Sequence, residues 1–112
     1  MSPKTGRVRI LSGQSESEPI QLVTETLVGI YMPSQWDSAD LGFSASHDGT
    51  TFMDMYDFGS AIVAQADASQ FVPVDYTKFV GAAYVKIKSV SGGSPVNQTA
   101  DRVLTPVFRV LE

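Results

Sequence analysis

A chain of 112 residues is long enough for a hydrophobic core of its own, and we expect residues 1–112 to form a single domain. The formal net charge of −4 comes from scattered acidic residues with no basic face, which argues against nucleic acid as a partner. The chain has no cysteine, which excludes disulfides, thiolate nucleophiles and cysteine metal sites and is typical of folding in a reducing cytoplasm.

Few charged side chains are available to cover the surface. They make up 18% of the chain, below the ~25% of average soluble proteins. A weakly charged surface resists association less than a strongly charged one, so we expect a homo-oligomer. No apolar run approaches the ~18 residues of a membrane span, and none of signal-peptide length follows the N-terminus. We therefore expect no membrane partner and assembly in the cytoplasm.

Alternation of apolar and polar residues predicts strands in the first third of the chain. In residues 7–11 the valine and isoleucine would face inward, and residues 1–6 before them are expected to form a flexible arm. Residues 20–23 form a short second run. Residues 27–32 are apolar on both faces, which is typical of a strand in the middle of a sandwich or beneath a partner. A proline ends this run, and residues 37–40 are expected to form one helical turn.

The clearest local signal is a hairpin. Residues 41–46 alternate between apolar and small polar side chains, and residues 52–56 return after a turn at Asp48 and Gly49. Glycine tolerates the positive φ that such a turn requires, so we expect positive φ at Gly49. A second turn then leads into a strand at residues 61–64.

The C-terminal half contains the other predicted strands. Asp75 is predicted to cap a short helical turn, and residues 83–88 place alanine, valine and isoleucine on one side of a strand. The last strand, residues 102–111, contains Pro106. Because proline cannot donate a ladder hydrogen bond, this strand is expected to be an edge or to carry a bulge.

These elements predict an all-β protein, an antiparallel β-sandwich of eight or nine strands without a sustained helix. Turn signals recur at the spacing of ~8–12 residues that is typical of sandwiches and barrels. The residues expected to be buried, from the inward register of their strands, are Val8, Ile10, Leu41, Phe43, Phe52, Val85, Ile87 and Phe108.

No group of residues indicates a catalytic chemistry. His47 lies in the predicted hairpin turn without a neighbouring nucleophile, and the aspartates in residues 37–57 lack the spacing of a calcium loop. Several large aromatic side chains suit either a sugar-binding platform or an oligomer interface; they are Tyr31, Trp36, Tyr56 and Tyr84. We predict no enzyme activity, no cofactor and no metal site.

Most of the chain resembles a family of small proteins encoded in the structural gene clusters of tailed phages and prophages. The shared pattern runs through LVGIYMPSQW, ADLGFSASHDG and a Tyr-Asp turn, and continues in the later segments VKIKS, SPVNQ and ADR. Together these pieces span residues 26–111. The resemblance implies a virion component with a jelly-roll-like sandwich, a decoration or cement protein of the phage head. Phe58 departs from the pattern, since a more polar residue is expected after the Tyr-Asp turn.

The resemblance also implies a partner, the major capsid protein, with each copy bridging adjacent subunits of the shell. The predicted contact residues are those without an evident place in the core, namely Lys4, Arg7, Met32, Trp36, Met53 and Met55. A carbohydrate-binding or adaptor module of a phage tail or fibre is the alternative. Sugar stacking requires Trp36 to be exposed on a concave face, so the position of this side chain separates the two functions.

Overall fold

The computed structural model describes residues 3–110, over which the chain forms thirteen short strands and one 3-10 turn. The strands are β1 (Lys4–Thr5), β2 (Val8–Ile10), β3 (Ile20–Gln21), β4 (Glu25–Tyr31), β5 (Asp40–Ser46), β6 (Met53–Asp54), β7 (Tyr56–Asp57), β8 (Ser60–Ala61), β9 (Val63–Ala64), β10 (Phe71–Pro73), β11 (Tyr84–Ser91), β12 (Ser94–Pro95) and β13 (Arg102–Val110). The 3-10 turn, Tyr76–Lys78, lies between β10 and β11. The start of the predicted arm, residues 1–2, and the end of the last predicted strand, residue 111, lie outside the described residues.

The strands pair antiparallel in two main sheets. The first sheet has the order β1-β13-β4-β10, and β2 continues the line of β1 along β13. The second sheet has the order β12-β11-β5-β6. In this sheet β3 lies in line with β12 along β11, and β9 lies in line with β6 along β5. A separate hairpin, formed by β7 and β8, connects β6 to β9.

Segments that lie end to end against the same neighbouring strand can be counted together as one line. Each sheet then consists of four lines. Numbered along the chain by their first segment, the lines run 1-8-3-6 in one sheet and 2-7-4-5 in the other, which is the strand order of a jelly roll. The prediction of an all-β antiparallel sandwich is confirmed. The predicted count of eight or nine strands is too low, because the lines at the edges are broken into segments of two or three residues.

The hydrophobic core lies between the two sheets, where alternate side chains of each strand face inward. Its most buried members come from both sheets and include Leu27, Ile30, Leu41, Ile87 and Leu104. Seven of the eight predicted core residues are buried. The prediction for Phe52 is wrong, since this side chain is only half-buried. Its ring lies beneath the outward-facing ammonium group of Lys86, which is 4.5 Å from the ring centroid.

The N-terminal segment lies on the first sheet. Strand β1 pairs with the end of β13, and the Gly6 N–H donates to the backbone oxygen of Pro106 at 2.9 Å. Residues 4–6 therefore extend the sheet where the sequence predicts a flexible arm. In β13 the nitrogen and the carbonyl of Pro106 face the same side, toward the break between β1 and β2. Pro106 therefore fits this central strand although it has no N–H to donate. The predicted bulge is present one residue later, between Val107 and Phe108.

Three of the four predicted turns are present, including the second turn, which joins β7 and β8. The Asp75 carboxylate caps the 3-10 turn by accepting a backbone N–H, and Gly49 has a φ of +84° in the hairpin turn. Residues 37–40 do not form the predicted helical turn. The Asp37 carboxylate instead accepts a hydrogen bond from Arg102, which holds this segment against the C-terminal strand.

Candidate functional site

Three of the predicted contact residues point toward the core. Met32 is 7% exposed, and Trp36 and Met55 pack against the core from partly buried positions. The Trp36 indole N–H donates to the backbone oxygen of Ala39 at 3.0 Å, which fixes the orientation of the ring. Met32 therefore belongs to the core rather than to a contact surface, and Trp36 does not form an open platform.

The other three predicted contact residues are exposed but lie on opposite edges of the sandwich. Lys4 lies on the edge strand β1 of the first sheet, and Arg7 follows it closely in the chain. Lys4 Nζ is 2.9 Å from Glu25 Oε2, so an ion pair already neutralises this charge. Met53 lies on β6, at the far edge of the second sheet. The structure does not gather the predicted contact residues into one site.

Met53 and Met55 nevertheless line one shallow apolar depression, which we call the methionine groove. Its volume is about 250 Å³, and Ala45, Gly81 and Ala82 form part of its walls. Met53 is 68% exposed. Unbranched thioether side chains adapt readily to the shape of a partner. The two predicted methionines therefore contribute to a common apolar surface.

A second depression, the edge cleft, lies between β9 and β10, where the two sheets part. These edge strands belong to different sheets, so the core is less completely covered between them. The cleft has a volume of about 510 Å³. Phe43 and Phe79 form its floor, with their rings packed edge to face at a centroid distance of 5.1 Å. Ile62, Val72 and Val74 add to its apolar lining.

An ion pair lies at the rim of the edge cleft. Lys78 Nζ is 2.7 Å from Asp57 Oδ2, and both side chains are more than a third exposed, at 35% and 39%. The hydrogen bond that Lys78 donates to Asp57, together with the negative charge of Asp57, raises the pKa of Lys78. A pair with this exposure contributes little to folding stability but presents both signs of charge to an approaching surface.

Three exposed aromatic residues, Tyr31, Phe58 and Phe71, are called the aromatic rim. Phe71 lines the edge cleft, Tyr31 packs against the Phe71 ring, and Phe58 lies on the β7–β8 hairpin. Phe58 is fully exposed at the tip of the β7–β8 hairpin, whose neighbouring residues line the cleft. Tyr31 and Phe71 lie on adjacent strands with ring centroids 4.6 Å apart, and each is about half exposed. The sequence signal for this rim was Phe58, which departs from the pattern of the phage proteins that the chain resembles. The cleft beside it had no such signal, since it depends on strands from two sheets.

Asp48 has a structural role in the hairpin turn. Its Oδ1 accepts hydrogen bonds from the backbone N–H groups of Thr51 and Thr50 and from the Ser46 hydroxyl. These donors stabilise the carboxylate and lower the pKa of Asp48 well below its usual range. His47 precedes Asp48 in the same turn. Both polar residues therefore lie in the hairpin turn, as predicted.

Asp37 has a similar role in joining distant segments. Burial raises the pKa of its carboxyl group, but hydrogen bonds from Thr99 and Arg102 outweigh this effect, so the pKa lies below its usual value. Within residues 3–110, no group of three or more histidine, cysteine or acidic side chains is arranged to hold a metal ion. No helix in the same range is long and apolar enough to cross a membrane.

The two depressions are the features of the described surface best suited to recognition. The methionine groove is mainly apolar, the edge cleft has an apolar floor with polar groups around it, and neither converges on a cluster of potential metal ligands. This chemistry suits the apolar side chains of another protein surface. Comparison with known proteins found no matching family model, no similar curated protein and no similar solved structure.

Proposed function

We propose that this protein is a structural component of a tailed-phage virion, a decoration protein that binds the major capsid protein and stabilises the head. The proposal combines the resemblance over residues 26–111 with the presence of the methionine groove. It implies a location in the virion after assembly in the host cytoplasm. It assigns the protein a mechanical role and no reaction.

The exposed methionine groove is the observation that carries this proposal. Met53 lies opposite Ala45 in the sheet register, and the small alanine side chain leaves a depression next to the methionine. Met53 keeps more than half of its surface in water although it is strongly apolar. Contiguous exposed apolar surface on a folded protein marks sites of contact with other molecules.

Stabilisation of the shell follows from mass action. A molecule that binds only the assembled shell shifts the equilibrium away from its dissociated subunits. A stable contact buries ~800 Å² per partner, so the methionine groove supplies the apolar centre and the polar residues around it supply the rest. The low charge of the chain suits such a contact, because few charged groups lose their hydration on binding.

The carbohydrate-binding alternative has less support from the side-chain geometry. A sugar ring stacks on an open, flat aromatic surface. Trp36 packs against the core, and its N–H is already bonded to the backbone. Tyr31 and Phe71 are exposed, but their rings are tilted by 43° and do not form a flat platform. An adaptor role in a tail or fibre would use the same groove with fewer copies per virion.

Co-sedimentation with expanded shells, assembled from the major capsid protein of the same phage, tests the proposal. The wild-type protein should pellet with the shells and saturate at a fixed ratio to the capsid subunits. Met53→Glu places a charge in the proposed contact and should weaken binding by ~10-fold or more. Val23→Glu is the matched control, because Val23 is 75% exposed but does not line the groove.

Two results would contradict the proposal. One is a wild-type protein that does not pellet with the shells, and the other is an equal loss of binding in both variants. Thermal melts of the variants confirm that each is folded before the comparison is made. Copy number by mass spectrometry of purified virions separates a shell protein, which is present in many copies, from a tail or fibre protein, which is present in few.

A further inference from the structure

We propose that the protein forms a two-fold symmetric homodimer in which the β7–β8 hairpin of each copy, with Phe58 at its tip, covers the edge cleft of the other. This contact uses a different surface from the one proposed for shell binding, since the edge cleft and the methionine groove share no lining residue. The proposal goes beyond the decoration function. It does not depend on that function, because dimerisation is tested without shells.

Phe58 has no evident role in the fold of its own chain. It is fully exposed, and it adopts a φ of +51° next to Gly59 at +80°. A two-residue turn with positive φ at both positions favours asparagine followed by glycine, and a bulky residue there is strained. Neither burial nor turn preference accounts for a phenylalanine at this tip. A surface outside the chain that receives the ring does account for it.

The edge cleft has the size and lining to receive this ring. Its volume of about 510 Å³ lies within the range of ~300–1,000 Å³ that is usual for binding pockets. Phe43 and Phe79 form a buried floor, and the half-buried side chains of Ile62 and Val74 offer apolar contacts to an inserted ring. An aromatic side chain and part of the hairpin backbone fit into this space.

The placement of the hairpin favours a second copy as the occupant. Asp57, Ser60 and Ala61 of the hairpin line the cleft of their own chain, so the tip stands beside the cleft. A two-fold axis at this rim brings each tip over the cleft of the other copy, in a contact that closes on itself. Both signs of charge lie there, and the same axis sets Asp57 of one copy against Lys78 of the other. The rim is thus complementary in charge to itself.

A second copy would also cover this edge if one of its strands paired with β10. The backbone of β10 disfavours such pairing. The Val74 N–H donates to the backbone oxygen of Val28 at 3.1 Å, so by alternation Phe71 and Pro73 turn their backbone groups away from the sheet. Pro73 has no N–H for an added strand to accept, and proline at an edge opposes such pairing. Side-chain insertion is therefore the better fit.

The apolar area at the rim matches the requirement of a stable dimer. Phe58 is fully exposed, and Tyr31 and Phe71 are 52% and 46% exposed. At ~150–250 Å² for each aromatic side chain, the aromatic rim offers about 400 Å² of apolar surface per copy. A standard interface buries ~800 Å² per partner, of which ~56–58% is apolar. The aromatic rim alone supplies most of that apolar share.

Sedimentation equilibrium of the purified chain, from about 1 to about 100 μM, tests this proposal. The wild-type protein should be dimeric at the upper concentrations. Phe58→Asn should raise the Kd for dimerisation by ~30-fold or more, the loss expected for a central interface residue. At a concentration where both proteins are monomeric, the variant should melt at or above the wild-type temperature, because asparagine suits the turn and no dimer then stabilises the wild type. This measurement separates loss of the dimer from loss of the fold.

Two further variants locate the contact. Gln65→Trp fills the edge cleft from an exposed wall position and should also give a monomer, whereas Val23→Asn removes an exposed apolar residue elsewhere and should leave the dimer intact. A wild-type chain that stays monomeric, or a dimer that survives either Phe58→Asn or Gln65→Trp, overturns the proposal. Open-ended growth with concentration overturns the two-fold arrangement, since a reciprocal contact closes at two copies.

Discussion

Replacing Gln98 by alanine should lower the free energy of unfolding by ~3 kcal/mol, because this buried amide joins three segments of the chain. Gln98 is 0% exposed. Its Oε1 accepts from the Asp37 backbone N–H at 2.9 Å and from Arg102 Nε at 3.1 Å. Its Nε2 donates to Ser89 Oγ at 2.8 Å and to the Asp37 backbone oxygen at 3.2 Å.

The magnitude depends on which partners water can reach after the substitution. Ser89 is 0% exposed and Arg102 is 9% exposed, so both lose a partner that solvent does not readily replace. An unsatisfied buried polar group costs ~1–3 kcal/mol. The backbone groups of Asp37 are nearer the surface and contribute less, which gives ~3 kcal/mol in total. For a domain of this size the melting temperature should fall by about 12 °C.

Urea denaturation followed by fluorescence and circular dichroism measures this change. Gln14→Ala is the matched control, because it makes the same substitution at an exposed position and should stay within ~0.5 kcal/mol of wild type. A loss below ~1 kcal/mol for Gln98→Ala, with an unchanged slope against urea, would refute the reasoning that the amide is a buried junction.

Three further predictions concern the core, the hairpin and pH. Ile87→Ala removes a 0% exposed side chain and should cost ~2–5 kcal/mol in the same denaturation assay, and a loss below ~1 kcal/mol would place Ile87 outside the core. Gly49→Val should destabilise more than Asp48→Asn, because a Cβ at φ +84° would lie 3.1 Å from the Tyr84 ring, whereas asparagine keeps the accepting oxygen; equal melting temperatures would contradict this. The pKa of Asp37 is lower in the folded than in the unfolded chain, so its contribution is complete above the unfolded value of 3.8 and is lost as the pH falls through the folded value. The urea midpoint should therefore fall less on acidification in Asp37→Asn than in wild type, and identical profiles would exclude this role.

The alternation of side chains was sufficient to predict the long strands. The predicted ranges 41–46 and 83–88 cover most of β5 and most of β11, since a strand with one face in the core must place every second side chain inward. The edge lines of the second sheet were predicted less well, because segments of two residues are too short to show a period. Phe52 was misplaced because the register of this strand differs by one residue from the predicted one. Met53 pairs with Ala45 and shares its face, so Phe52 lies on the opposite face beside Lys86.

The junction at Gln98 and the edge cleft could not be predicted from local sequence. Asp37 is 61 residues from Gln98 and 65 from Arg102, so only the tertiary fold brings these partners together. Likewise the edge cleft needs β9 from one sheet and β10 from the other. Exposure was equally hard to assign, since Met32 and Met53 are the same residue type and one is buried while the other is exposed. The identity of a residue limits its chemistry, but the packing of distant strands decides whether that chemistry reaches the surface.

The two proposed surfaces, the edge cleft and the methionine groove, together provide a mechanism by which a small domain stabilises a shell. A two-fold dimer closed at the edge clefts carries two methionine grooves, so one dimer can reach two capsid subunits. When the first groove is bound, the second meets its subunit at a high effective concentration, and linked contacts of this kind can gain ~10²–10⁴ in avidity. Phe58→Asn should then weaken retention on shells although Phe58 lies outside the groove, whereas Met53→Glu should weaken binding without changing the dimer. Equal retention of Phe58→Asn and wild type on the shells would mean that each copy binds alone.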